Sequence, residues 1–149
     1  MTPNLKPSQR VAILAAINPD EAAAGAYSTG WVDVVKFHNF LAVAQVGNIP
    51  AATTVDAKVQ QASAADGTGT KDVAGAAIAQ LGATDDNKQV EINVRQDALD
   101  MNGGFRFLRL TVTVGGTGPA DISGLVLGFD GREQPASDHD ATSVAQIVG

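Results

Sequence analysis

Apolar and polar residues alternate along this chain in short runs, closed by turn residues about every ten positions, which is the spacing of strands rather than helices. The cleanest runs are residues 53–62 (TTVDAKVQQA) and 88–96 (KQVEINVRQ). In the first, Val55, Ala57 and Val59 share one parity against Thr54, Asp56, Lys58 and Gln60; in the second, Val90, Ile92 and Val94 oppose Glu91, Asn93 and Arg95. Since successive side chains of a strand point to opposite faces, each run reads as a strand with one buried and one solvated face. Residues 104–114 (GFRFLRLTVTV) are rich in aromatic and β-branched side chains and end at Gly115-Gly116. There Phe105 and Phe107 have the opposite parity to Leu108, Leu110, Val112 and Val114. Either a bulge resets the register near Phe107-Leu108 or the start of the strand is covered on both sides; in both cases the strand is central in its sheet.

The remaining pattern is weaker. Residues 1–8 carry Pro3 and Pro7 and read as an extended arm. Residues 10–17 (RVAILAAI) form an apolar strand that Asn18-Pro19-Asp20 is expected to stop, leaving 21–26 (EAAAGA) as loop with at most one helical turn. Residues 31–37 and 40–46 read as two strands joined at His38-Asn39. A loop at 63–70 contains Asp66-Gly67, a small-residue strand occupies 71–81, and Asp85-Asp86-Asn87 makes a polar turn. Residues 97–100 (DALD) suit one helical turn capped by Asp97, and 122–129 supply the last strand. About eight strands at this spacing predict an all-β, jelly-roll-like sandwich, with an N-terminal arm over 1–10, a sandwich over 11–130 and a C-terminal arm over 131–149.

Composition narrows the chemistry. A chain of 149 residues fits one domain. Its 44% hydrophobic content is mostly Ala and Val, with 5% aromatic residues and 16 glycines. The absence of cysteine excludes disulfides, Cys-ligated zinc, iron–sulfur clusters and thiol nucleophiles. Net charge −6 and a pI near 4.6 argue against a dedicated nucleic-acid binder, for ten Lys and Arg are spread thinly. No apolar run approaches the roughly 18–20 residues of a membrane span, and the polar start MTPNLKPSQR lacks the apolar core of a secretory signal, so the mature chain is expected to begin there.

Candidate reactive groups are sparse. Asp138-His139-Asp140 brings imidazole and carboxylates together, but neighbours in an extended segment point to opposite sides and do not converge on one ion. His38 has no G-x-S-x-G elbow to serve. Asp66-Gly67-Thr68-Gly69 lacks the spaced acidic ligands of a calcium loop, and the glycine pairs open no phosphate-binding helix. Arg106 and Arg109 differ in parity, and each needs a partner within the fold or an interface. The reading is a non-enzymatic protein with no metal and no cofactor.

Four stretches in order, residues 31–47 (WVDVVKFHNFLAVAQVG), 55–81 (VDAKVQQASAADGTGTKDVAGAAIAQL), 85–116 (DDNKQVEINVRQDALDMNGGFRFLRLTVTVGG) and 125–138 (LVLGFDGREQPASD), resemble the small head-decoration, or cement, proteins of tailed bacteriophages. The resemblance implies a jelly roll on the outer surface of the virion capsid, made in the host cytoplasm, that binds the major capsid protein and itself, as dimer or trimer, and touches neither nucleic acid nor membrane. Weak repeated contacts then stabilise the shell through avidity. Under this reading Leu5, Lys6, Arg10, Arg106, Arg109, Arg132, Val144 and Ile147 are the candidate capsid or self-contacts. The alternative is a carbohydrate- or receptor-binding module of a phage tail or surface structure, which needs an exposed aromatic platform from Trp31 and Tyr27.

Overall fold

The computed structural model describes residues 4–136 and 143–149. Nine strands run in chain order: β1 (Ala12–Ala22), β2 (Gly25–Ser28), β3 (Val32–Asp33), β4 (Phe37–Val46), β5 (Thr53–Ala62), β6 (Lys71–Ala77), β7 (Gln89–Arg95), β8 (Phe107–Gly116) and β9 (Ala120–Gly131). They form two antiparallel sheets, β1-β9-β4-β7 and β2-β8-β5-β6, with the two-residue β3 beside β8. That strand order, with each half of the chain feeding both sheets, is a jelly roll, as the strand spacing predicts.

The core lies between the inner faces, and the two sheets fill it unequally. Sheet β2-β8-β5-β6 sends in large residues: Leu108, Leu110 and Val112 from β8, Val55 and Val59 from β5, all fully buried. Opposite them, β4 offers Phe40, Ala42 and Ala44, while β9 offers Gly124, Val126 and Gly128. Both glycines are required by close packing, Gly124 against the opposite sheet and Gly128 against side chains of its own sheet. A Cβ on Gly124 would sit 2.8 Å from Leu110 Cδ2, and one on Gly128 would sit 2.7 Å from Leu14 Cδ1 and 2.8 Å from Phe37 Cγ. Buried Gln61 closes one end, its amide oxygen accepting the Asp100 N–H at 2.7 Å and its amide nitrogen donating to the Asp72 carbonyl at 3.3 Å.

Several local expectations are corrected. Pro19 does not stop β1, which continues to Ala22 across a register shift between Ile17 and Asp20. The strand lies at the sheet edge, where a bulge accommodates a residue that cannot donate. Residues 21–22 therefore end β1 and 25–26 begin β2, and only 23–24 are loop. His38-Asn39 is no hairpin: β4 runs through it, and the break comes earlier, at a 3₁₀ turn over Val34–Lys36. The Asp33 carboxylate caps that turn by accepting the Val35 N–H at 3.1 Å. Pro7 starts a four-residue helix, α1 (Pro7–Arg10), so the N-terminal arm is not wholly extended. The strand from Lys71 ends at Ala77 instead of residue 81. The turn at Gln96–Ala98 has Arg95 at its cap position, and Asp97 pairs with Arg95 at 3.3 Å instead of capping. Finally, β8 holds continuous register with β5 from Gly116 to Phe107, with no bulge. Phe107 stands on its outer face, packed near the Arg106 guanidinium at 5.5 Å. The strand is central, between β5 and β2/β3, as expected.

Candidate functional site

Two surfaces collect the residues singled out by sequence. The first is where the chain ends meet. The Ala136 N–H donates to the Gln9 carbonyl at 2.9 Å, and Ala136 is fully buried. Gln9 closes α1 by accepting the Lys6 N–H at 2.9 Å. The tail from Ser143 then returns beside this segment, enclosing with it a mostly apolar cleft of about 660 Å³. Lys6, Pro7, Val11 and Ile13 line one side, and Val144, Ile147 and Val148 the other. The Lys6 ammonium donates to the backbone oxygen of Gly149. Three of the candidate contacts, Lys6, Val144 and Ile147, therefore converge, with half-buried Leu5 and Arg10 adjacent in the chain. Ile147 and Val148 remain 56% and 88% exposed.

The second surface is the outer face of β8 and β5, where Gln60 and Arg109 are directly paired across the strands. The Gln60 amide oxygen accepts from Arg109 Nε and Nη2 at 3.1 and 2.9 Å and from the Thr111 hydroxyl at 3.0 Å. Thr111 shares a further 2.8 Å bond with Ser28. The Gln60 amide nitrogen donates to Asp72, which also holds Lys58 at 3.0 Å. The result is a polar ladder running across four strands, β2-β8-β5-β6. The Arg109 guanidinium stacks 4.5 Å above the Trp31 ring, and Gly67 abuts the indole so closely that a Cβ there would lie 2.8 Å from Nε1. Tyr27 packs against the core and donates its hydroxyl to the Ala23 carbonyl at 2.9 Å. Neither aromatic thus offers the open platform that a glycan-binding reading needs.

Arg106 borders the second surface beside Phe107, and Arg132 joins neither cluster. Arg106 makes a two-pronged pair with Asp33, through Nε at 3.2 Å and through Nη2, which raises its pKa and fastens β8 to the 3₁₀ turn. Arg132 Nη2 donates to Gln96 at 2.7 Å, tying the end of β9 to the turn after β7. Asp138, His139 and Asp140 lie outside the described residues. His38 is exposed on β4. Among the described residues no group of His, Asp and Glu is arranged to hold a metal ion, and no helix is long and apolar enough to cross a membrane.

Sequence reasoning missed the Gln60–Arg109–Trp31 arrangement. Parity places Gln60 and Arg109 outward on separate strands, but only the register of β5 against β8 makes them neighbours.

Four surface carboxylates respond to pH in one direction. Asp66 is held below the usual carboxyl range by the Thr68 hydroxyl and N–H, and Asp72 by Lys58 and Gln60. Asp85 is lowered by the Gly82 N–H and Lys88, and Asp100 by Lys71 and the Gly103 N–H. A carboxyl whose folded pKa is depressed stabilises the fold above its unfolded pKa and loses that contribution as pH falls through the folded value. Thermal stability is therefore expected to stay level down to about pH 5 and to decline below about pH 4. Calorimetric Tm against pH, for the parent and for Asp72→Asn and Asp100→Asn, checks this; an acid limb of unchanged steepness in both variants would count against these groups as its source.

No protein-family model matches the chain, and no curated protein sequence matches it. Among solved structures, a structure of infectious bursal disease virus, Gx strain, is similar with a TM-score of 0.43 and 14% identity, over 85% of this chain and 33% of the other. A structure of the Gt strain of that virus has a TM-score of 0.42 and 12% identity over the same shares. The chain spans about a third of the length of these structures.

Proposed function

We propose that the protein is a structural component of a bacteriophage virion: a cement protein that sits on the outer surface of the head, self-associates, and bridges neighbouring major capsid subunits. The observation that carries this reading is that the stretches resembling head-decoration proteins fall in order on β3 to β9 and their connections in one jelly roll, an architecture used by viral capsid domains. A resemblance at fold level is an analogy, so the function must rest on surfaces. The surfaces suit adhesion. The converging chain ends form an arm region with exposed Ile147 and Val148, and such segments gain affinity by ordering on a partner. The acidic balance disfavours packaged DNA and suits an outer location. The sandwich spans β1 to β9, and the segments on either side of it act as the binding arms.

Mass spectrometry of purified DNA-filled heads tests the location. The chain should be present at a copy number comparable with that of the shell protein; absence, or a tail-like copy number, would refute the reading. A protein truncated after Ala136 keeps the Gln9 contact and should fold with nearly parental stability, yet lose head occupancy at least tenfold, since avidity multiplies the loss of each weak contact. Full occupancy by that truncation would remove the tail from the binding role.

A further inference from the structure

The outer face of sheet β1-β9-β4-β7 is built the wrong way round for a surface that meets water. A solvated antiparallel face normally carries polar residues, as Thr54, Asp56, Lys58 and Gln60 do on the opposite sheet. Here Ala42, Ala44, Gly124 and Gly128 point inward beside Phe40, Ile122 and Val126, while Leu41, Val43, Leu125, Leu127 and Phe129 point out. Cross-strand pairing arranges the outward residues level with β4 in four rows, of which Gln89, Gln45 and Ser123 form a polar one beyond Val43. One row is Asn93, Leu41, Leu127 and Ile13; the next is Glu91, Val43, Leu125 and Ala16; on the other side lie Arg95, Asn39 and Phe129. Leu125 is 37% exposed, and the apolar tail residues Ile147 and Val148 continue the patch past Ile13. A contiguous apolar face of this kind marks a contact surface.

We infer that this face docks a second copy of the same chain, face to face, about a twofold axis lying along the Leu41–Leu127 row. Two features select a second copy over another occupant. The first is shape. The row containing Asn39, Phe129 and Arg95 borders a hollow of about 360 Å³, and the twofold lays Val43 and Leu125 of the second copy over it. The second is charge. Glu91 and Arg95 are the charged residues that β7 turns outward, one on each side of the axis, so the same operation sets each Glu91 against Arg95 of the second copy. The present partner of Arg95 is Asp97, in a pair exposed on both sides, and such pairs hold little. The sheets then pack aligned, as the two sheets of a sandwich do. This deepens the self-association part of the cement reading and does not depend on what the dimer binds.

Sedimentation analysis of the full chain in solution tests it. The parent should be a dimer. Glu91→Arg and Arg95→Glu alone each place like charges together twice per dimer and should raise the dimer Kd at least about tenfold, while the double reversal should return it to within about threefold of the parent. Leu125→Asp, at an exposed position, should raise Kd about a hundredfold with unchanged circular dichroism, and Thr113→Glu on the opposite sheet should do nothing. A monomeric parent, a double reversal no better than the singles, or a dimer indifferent to Leu125→Asp each overturns the proposal. Head occupancy separates this from the cement reading: a monomeric parent that coats heads spares the cement role alone, and a dimer with the expected variant pattern that never joins heads spares the interface alone.

Discussion

Replacing Gly116 by alanine is expected to remove about 3 kcal/mol or more of folding stability, the larger of two very different outcomes at adjacent glycines. Gly116 closes β8 at φ +75°, a left-handed conformation that costs an ordinary residue roughly 1–2 kcal/mol. The added Cβ would also fall 2.0 Å from the Ala52 carbonyl oxygen and 3.2 Å from Thr53 Cα. Both are backbone, so no rotamer change relieves the contact. The same carbonyl accepts the Thr117 N–H at 3.1 Å, and Gly116 is the terminal partner of Thr53 in the β5–β8 ladder. Pushing the chains apart leaves those groups unsatisfied, at a further cost of about 1–3 kcal/mol. For a chain of this size the sum lowers Tm by roughly 6–12 °C. Gly115→Ala is the comparison: its Cβ would meet only the Thr54 hydroxyl, at 2.6 Å, and that side chain can turn away. Urea unfolding of both variants should separate them clearly; equal losses would mean that the Ala52 contact is not the cause.

The same contrast between what a residue is and what lies across from it sets how far the fold is legible in the sequence. Strand β5 is bounded as its alternation predicts, from Thr53 to Ala62, because its central inner residues, Val55, Ala57 and Val59, are apolar and its outer ones polar. β7 is legible for the same reason. At β4 and β9 the alternation survives, but its sense is hidden. Leu41, Val43, Leu125 and Leu127 are large apolar residues that alternate with Ala42, Ala44, Gly124, Val126 and Gly128, and hydrophobicity alone would bury them. They face outward because Leu110 from the other sheet already fills the space at Gly124, where even a Cβ would sit 2.8 Å from it. A face therefore becomes recognisable as exposed and apolar only after the second layer is known. The break between β3 and β4 is a second case. Nothing local distinguishes Val34–Lys36 from the strand on either side, but Asp33, held by Arg106 from 73 residues away, caps a turn there. Likewise, Arg109 announces that it needs a partner, yet only register supplies Gln60.

That unequal filling of the core makes a quantitative prediction at its tightest point. Leu110→Ala removes a fully buried side chain and is expected to cost about 2–5 kcal/mol. Gly124→Ala is expected to cost about 1–3 kcal/mol by overpacking, because its Cβ would stand 2.8 Å from Leu110 Cδ2 with Ile17 Cδ1 at 3.3 Å behind it. The two substitutions share one volume. With the Leu110 branch gone, the Gly124 methyl loses its closest contact, enters the vacated space and fills part of the cavity. The double variant should therefore be no less stable than Leu110→Ala alone, and the coupling in the cycle should be favourable by about 1–3 kcal/mol. Denaturant titration of the parent, both single variants and the double variant measures it. Simple additivity would mean that sheet β1-β9-β4-β7 absorbs the Gly124 methyl by shifting outward instead of pressing on Leu110. The small residues of β4 and β9 would then not be set by the large ones of β8, and the outward placement of Leu125 and Leu127 would need a different cause.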